Sequence, residues 1–286
     1  MSQKVQLLAA NQAVDNLHDL EGIAEQIFGS SNRPKGWFHR KLQREGVDSQ
    51  LSVIARQGAR ICGYILLGRD EHLSSIAYGA GMGVVPQMRG CGLGRRLVEQ
   101  AQQQVTDAGL CSIELVTTNE VDSFYHHLGF RESTQQTTLM GIARGMQICD
   151  DAVEFYSACP WDPQTEDKCY EQICGWHPHI WNRTSINGKF TIRIALNQHE
   201  VAWIHLSREG SAFLIQRLLI PQYDVDLSRV QTIQFIADRL LAALPQDRPC
   251  LLYGCPRNNR ETRIFLEHGW QCAQNFSIMR WSKFDV

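Results

Sequence analysis

The chain has 286 residues, with 28 lysines and arginines against 30 aspartates and glutamates and a formal net charge of -2. That length suits two average domains, and near-neutrality excludes the global basic field that holds nucleic acid or an anionic membrane. The 10 cysteines include no CxxC pair. The opening MSQKVQLLAANQAVDNLHDLEGI lacks an apolar core with a small-residue cleavage site, and no apolar run approaches the ~18–20 residues of a membrane span. A cytoplasmic protein with a small partner, no nucleic acid and no membrane is expected.

In chain order, Val5 to Ala9 reads as a short strand, followed by two helices: Leu17, Leu20, Ile23, Ala24 and Ile27 recur at helical spacing, as do Trp37, Phe38 and Leu42. LSVIARQGARICGYILLGRD holds two strand-like runs about Gln57-Gly58 and predicts a hairpin. LSSIAYGAGMGVV adds a strand whose glycines suggest a bulge or a splayed backbone. Leu93, Leu97, Val98, Ala101 and Val105 mark one helical face, with Gly109 placed to stop the helix. CSIELVTT is the next strand, VDSFYHHLGF a short helix ended at Gly129, and a last strand lies near Thr137 to Ile142.

The order then recurs. Val85-Pro86-Gln87 is echoed by Ile220-Pro221-Gln222, LCSIELVTTNE by PCLLYGCPRNN and FYHHLGF by IFLEHGW, at offsets of 135, 139 and 140. This pattern is that of a tandem duplication of one α+β unit. The stretch from Cys149 to Asp167, with Pro160-Trp161-Asp162-Pro163, is the expected crossing, giving domains 1–147 and 148–286.

Residues 84 to 94, VVPQMRGCGLG, place Gly90, Gly92 and Gly94 between a strand and a helix. Unhindered backbone running into a first helical turn makes a nest of N–H donors at the positive end of the helix dipole, suited to phosphate oxygens. Arg89, Arg95 and Arg96 add charge. By itself the pattern also fits a loop chosen for close packing. A Walker loop is excluded because Gly94 is followed by Arg95-Arg96, and a dinucleotide fingerprint fits poorly because Pro86 to Arg89 separate the glycines from their strand.

VVPQMRGCGLGRRLVEQ resembles the acyl-CoA-binding motif of the GNAT superfamily of N-acetyltransferases, with Arg89-x-x-Gly92-x-Gly94 matching its Arg/Gln-x-x-Gly-x-Gly/Ala pattern. NEVDSFYHHLGF resembles the family's later motif, and the resemblance spans residues 1 to about 142. It implies an α+β fold of two tandem GNAT-like domains, each a mixed, mostly antiparallel, twisted sheet flanked by helices. It also implies acetyl-CoA as acyl-donor cosubstrate, held by Met82, Val84, Val85, Arg89, Gly90, Cys91, Gly92, Leu93, Gly94, Arg95 and Asn119 together with Tyr125. In that scheme the N–H of Val84 or Val85 polarises the thioester carbonyl, and Tyr125 protonates the departing sulfur. Transfer is direct, so Cys91 and Cys111 need not be nucleophiles, and no metal takes part. Tyr125 could instead be a packing aromatic. Glu114, alternating with Ile113 and Leu115, is the candidate base for the amine, or else an exposed or salt-bridged strand glutamate; His126 and His127 are expected on the outer face of their helix.

The second copy lacks these tools. PQYDVDLSRVQ, with Asp224 and Asp226, replaces the glycine loop, and Phe265 replaces Tyr125, while Gly269 and Trp270 keep the packing corner. Cys169, Cys174, His177 and His179 cluster within eleven residues but match no common zinc spacing, and the alternative is a helix bearing two cysteines. The expected activity is N-acylation of a small-molecule or peptide amine by the first copy, with the second as buttress, cleft wall or homodimer surface. A non-catalytic acyl-CoA sensor or partner-binding protein is the alternative, and a macromolecular acceptor a third.

Overall fold

The structure, a computed structural model, describes residues 4–29, 34–69, 75–118, 120–145, 153–156, 169–175, 189–196, 199–222 and 228–284. Its contacts divide the chain into two units, residues 1–134 with 277–286 and residues 135–276.

The first unit runs β1 (Gln6–Ala9), α1 (Ala10–Ala13), a 3-10 turn (Leu17–Leu20), α2 (Glu21–Phe28), α3 (Trp37–Arg44), β2 (Val53–Gln57), β3 (Arg60–Arg69), β4 (Ile76–Val84), α4 (Leu93–Asp107), β5 (Ser112–Thr117) and α5 (Asp122–His126). β1 to β4 form an antiparallel meander. β5 joins β4 in parallel over only three register pairs, Ile76 to Tyr78 against Ser112 to Glu114. Helices cover both faces. Val53, Ala55, Ile65, Leu67 and Ile113 pack with Leu93, Leu97 and Ala101 of α4, whereas Ile54, Tyr64, Leu66 and Ala80 pack with Ala24 of α2 and Phe38 and Leu42 of α3. Burial on both faces is why these strands read as continuous apolar runs rather than as alternating ones.

The second unit follows β6 (Arg131–Ile142) with β7 (Val153–Tyr156), β8 (Tyr170–Gly175), β9 (Lys189–Leu196), β10 (His199–Glu209), β11 (Ala212–Pro221), α6 (Arg229–Ala243), β12 (Pro249–Pro256) and α7 (Arg260–Glu267). Its meander of β7, β9, β10 and β11 is antiparallel, and β12 meets β11 in parallel over Phe213 to Ile215. The α+β class and the recurring order of meander, helix, strand and helix are as the sequence suggests. Among the described residues no helix is long and apolar enough to cross a membrane.

Two expectations are corrected. The boundary at residue 147 does not divide the units: β6 is antiparallel to β12 from Gln136 to Ile142, and the end of the C-terminal strand β13 (Gln271–Ser282) is antiparallel to β5 from Ser277 to Ser282. Each half therefore completes its sheet with the other half's last strand. β5 and β12 both have an edge to pair, and either terminal strand can meet that need. Cys174 does not lie on a helix, since Tyr170–Gly175 is β8.

Met279 and Trp281 are buried in the core of the first unit. Trp281→Ala is therefore expected to cost about 3–5 kcal/mol. In hydrogen exchange the loss of protection should fall on β5 and not on β12; loss confined to β12 would restore the boundary at 147.

Candidate active site

The site begins where β4 leaves β5. Register between β3 and β4 shifts so that Ala80 is an extra residue between Gly79 and Gly81, and Gly81 takes φ +142. Such a bulge bends its strand, and glycine alone adopts that φ without strain. Two close approaches tighten the bend: a Cβ on Gly79 would lie 2.7 Å from Leu115 Cβ, and one on Gly83 would lie 2.3 Å from Ile27 Cγ2 of α2.

The bend decides between the two expected oxyanion donors. Val85 N–H donates to Cys62 O on β3 at 2.9 Å, so it faces the sheet interior and is removed from the donor role. Successive N–H groups of a strand point to opposite edges, which sends that of Val84 to the open edge.

Beyond a 3-10 turn (Pro86–Met88), Gly90 and Gly92 both have φ +76, and Gly92 is the left-handed N-cap of α4. A Cβ on either would meet open space, so glycine serves backbone conformation there and not close packing. Main-chain bonding resumes at Arg96 N–H to Gly92 O. No main-chain carbonyl among the described residues accepts from the N–H groups of Gly90, Cys91, Gly92, Leu93, Gly94 and Arg95, and α4 has no side-chain N-cap bond. These are the orphan donors of a helix start extended back into a loop, a cradle for an anion. Leu93 is 2% exposed and pins the first turn to the core. Cys91 is exposed, and its thiol donates to Met88 O at 2.9 Å.

The arginines divide. Arg89 turns back, donating from Nε to Val84 O and from Nη2 to Ile27 O, both at 3.0 Å, so it braces β4 and α2 where the sequence suggested a phosphate ligand. Arg96 donates to Val5 O at 3.3 Å. Arg95 keeps a half-exposed head, 3.8 Å from Glu99, in a weak surface pair.

Tyr125 sits on α5 with its ring edge-on to Phe124 (5.0 Å) and Phe130 (5.4 Å). Its hydroxyl donates to Met82 Sδ at 3.3 Å, at the open edge of β4. A Cβ on Gly94 would lie 3.4 Å from Met82 Cε and 3.5 Å from Phe124 Cζ. Nest, Met82 and Tyr125 are thus brought together. Burial pushes the Tyr125 phenol up to about 12, keeping it a proton donor across the neutral range.

Glu114 is not brought to this group. Ile113 and Leu115 share the Tyr125 cluster, so strand alternation carries Glu114 to the other sheet face, in register with Tyr78 and Arg280. His126 Nδ1 contacts Phe130 O and His127 Nδ1 contacts Ser123 O; both residues are exposed, as expected. Asn119, His177 and His179 lie outside the described residues. Among the described residues no metal-ligand cluster forms. Sequence reasoning missed Ile27 and Phe124, whose one available signal was the run of glycines they pack against.

A helix start whose N–H groups find no main-chain acceptor among the described residues, joined to an open strand edge and a buried phenol, defines a candidate anion-binding site. Over residues 48–132 the chain matches the family described as the acetyltransferase (GNAT) domain. It is 27% identical over 120 residues to an acetyltransferase of Pectobacterium atrosepticum, covering 42% of this chain and 79% of that one. An uncharacterised N-acetyltransferase of Pyropia yezoensis is 25% identical over 130 residues, covering 43% and 68%. In fold, the chain is similar to a GCN5-related N-acetyltransferase from Sphaerobacter thermophilus (TM-score 0.61, 11% identity, 98% of this chain and 95% of that one). It is also similar to a tandem GNAT protein from the clavulanic acid biosynthesis pathway (TM-score 0.61, 12% identity, 98% of each chain).

The raised phenol fixes a pH effect. An unfolded tyrosine ionises near 10 and Tyr125 near 12, so between those values the unfolded chain has lost a proton that the folded chain keeps. Stability present below pH 10 should fall through that window. Ultraviolet titration of Tyr125→Phe should lack one tyrosinate that the parent chain forms near pH 12; an unchanged titration would remove the burial argument.

Proposed function

We propose that the first unit is an acetyl-CoA-dependent N-acyltransferase that moves an acyl group directly from the CoA thioester to an amine of a small molecule or peptide. The observation that carries this is the run of N–H groups from Gly90 to Arg95 that find no main-chain acceptor among the described residues, beside the open edge of β4. The nest matches a pyrophosphate in charge and donor number, Arg95 adds a cation, and the free main-chain edge matches the amides of a pantetheine arm as it would a further strand. Gly90, Cys91, Gly92, Leu93 and Gly94 bind through their backbones. Val84 N–H holds the thioester oxygen and stabilises the oxyanion as the amine attacks. Tyr125 donates to the leaving sulfur. An amine of lysine type keeps its proton to pH about 10, so an acceptor is needed. Glu114 is the proposed one, reached through a relay of water because it lies on the sheet face opposite Tyr125. The cysteines need no part.

Tyr125→Phe keeps the nest and most of the packing. Thiol release from acetyl-CoA with a panel of amines should fall about 10²-fold or more in kcat, with CoA affinity in calorimetry little changed. Unchanged turnover would remove Tyr125 from the chemistry; retained CoA binding with no turnover on any amine would favour the sensor reading.

A further inference from the structure

In the second unit β11 and β12 also run in parallel for three register pairs, Phe213 to Ile215 against Cys250 to Leu252, before their register ends. Here the gap holds a strand. β8 lies antiparallel along β11, from Tyr170 opposite Pro221 to Gly175 opposite Arg217. It comes from the segment between β7 and β9, the position in chain order where the first unit has α2 and α3.

The fit is close and specific. The offset of 139 sets Gly254 where the first unit has Leu115. A Cβ on Gly254 would fall 2.2 Å from Gly175 O, and one on Gly175 would fall 2.3 Å from Gln216 O, so neither position admits a side chain. At the other end, Arg229 opens α6, the counterpart of α4, and its Nη1 and Nη2 donate to both Glu171 oxygens at 2.7 and 2.9 Å. A carboxylate is thus gripped by a bidentate fork at the helix start. The Arg229 hydrogen bonds hold the Glu171 carboxyl below its usual range. Arg217, 3% exposed, donates from Nε to Gln172 Oε1 at 2.6 Å, so β8 supplies a partner to a buried guanidinium. Gln222 N–H donates to Cys169 O at 3.0 Å, and Tyr170 OH donates to Glu200 at 2.6 Å. Cys174 of β8 and Cys255 of β12 are both buried, and hydrogen bonding to Cys174, with burial, raises the Cys255 thiol.

We propose that β8 is a built-in occupant of the second unit's cosubstrate cleft, its main chain lying where a pantetheine arm would pair and its Glu171 carboxylate standing at the anion position of the helix. What the cleft would otherwise take rests on the function proposed for the first unit. The chain therefore binds a single CoA, and the second cleft is closed by its own sequence.

The test uses the full-length chain with CoA as the probe. Calorimetry should give one CoA per chain, and hydrogen exchange should show the amides of 170–175 protected to the level of β11, with or without saturating CoA. Glu171→Ala should speed exchange of 170–175 severalfold while leaving CoA affinity unchanged. Two CoA per chain, or 170–175 exchanging as free chain or released by CoA, would overturn the inference. No CoA binding at all would sink the first unit's reading instead, and exchange at 170–175 would still decide whether β8 fills its cleft.

Discussion

Everything in this molecule turns on two parallel strands that share three register pairs and then part. In the first unit the bulge at Ala80 bends β4 from β5, and in the second β11 leaves β12 after Ile215. Main-chain groups left along such an edge, between helical layers, need partners. A ligand can supply them, or the chain can. In the second unit the chain does so through β8; for the first, a ligand is the proposed solution.

In the first unit the parts of the site are mechanically joined. Ile27 fills the space beside Gly83, and Arg89 ties the Ile27 carbonyl to that of Val84, so α2 and the end of β4 form one piece. Leu93 fixes the first turn of α4 while Gly90 and Gly92 leave its donors exposed. Tyr125 is anchored by two aromatic neighbours and reaches β4 through Met82. The phenol and the nest therefore face one strand from fixed positions, a form of preorganisation that lowers the cost of ordering a long flexible ligand.

Much of this was legible in the residues. The glycine loop needs left-handed backbone at Gly90 and Gly92, and only glycine provides it freely, so the nest could be placed from letters alone. The helical face of Leu93, Leu97, Val98, Ala101 and Val105 is wholly buried as its spacing requires. Other features depend on register, which sequence does not carry. Whether Val84 or Val85 faces the cleft is a one-residue question that only the Val85 bond to Cys62 answers. The β6 and β13 runs have similar apolar patterns, so nothing local says which sheet each completes. Tyr170 to Gly175 has a weak strand pattern of its own and takes the extended form because β11 offers an edge.

The helix starts argue the same point from the other side. α6 is closed by a capping box in which Ser228 and Gln231 satisfy each other's main-chain N–H groups, whereas α4 has no side-chain cap. A cap of this kind contributes about 1 kcal/mol, and the first unit does without it on the helix that follows its open strand. The second unit has a cap, a salt-bridged Arg229 and a strand in the gap. Among the described residues, the main-chain N–H groups from Gly90 to Arg95 find no main-chain acceptor beside the open strand edge of one unit, and the proposal of an anionic, amide-bearing ligand rests on that pairing of features. The same groups satisfied together in the other unit show that the fold can close that place with its own residues.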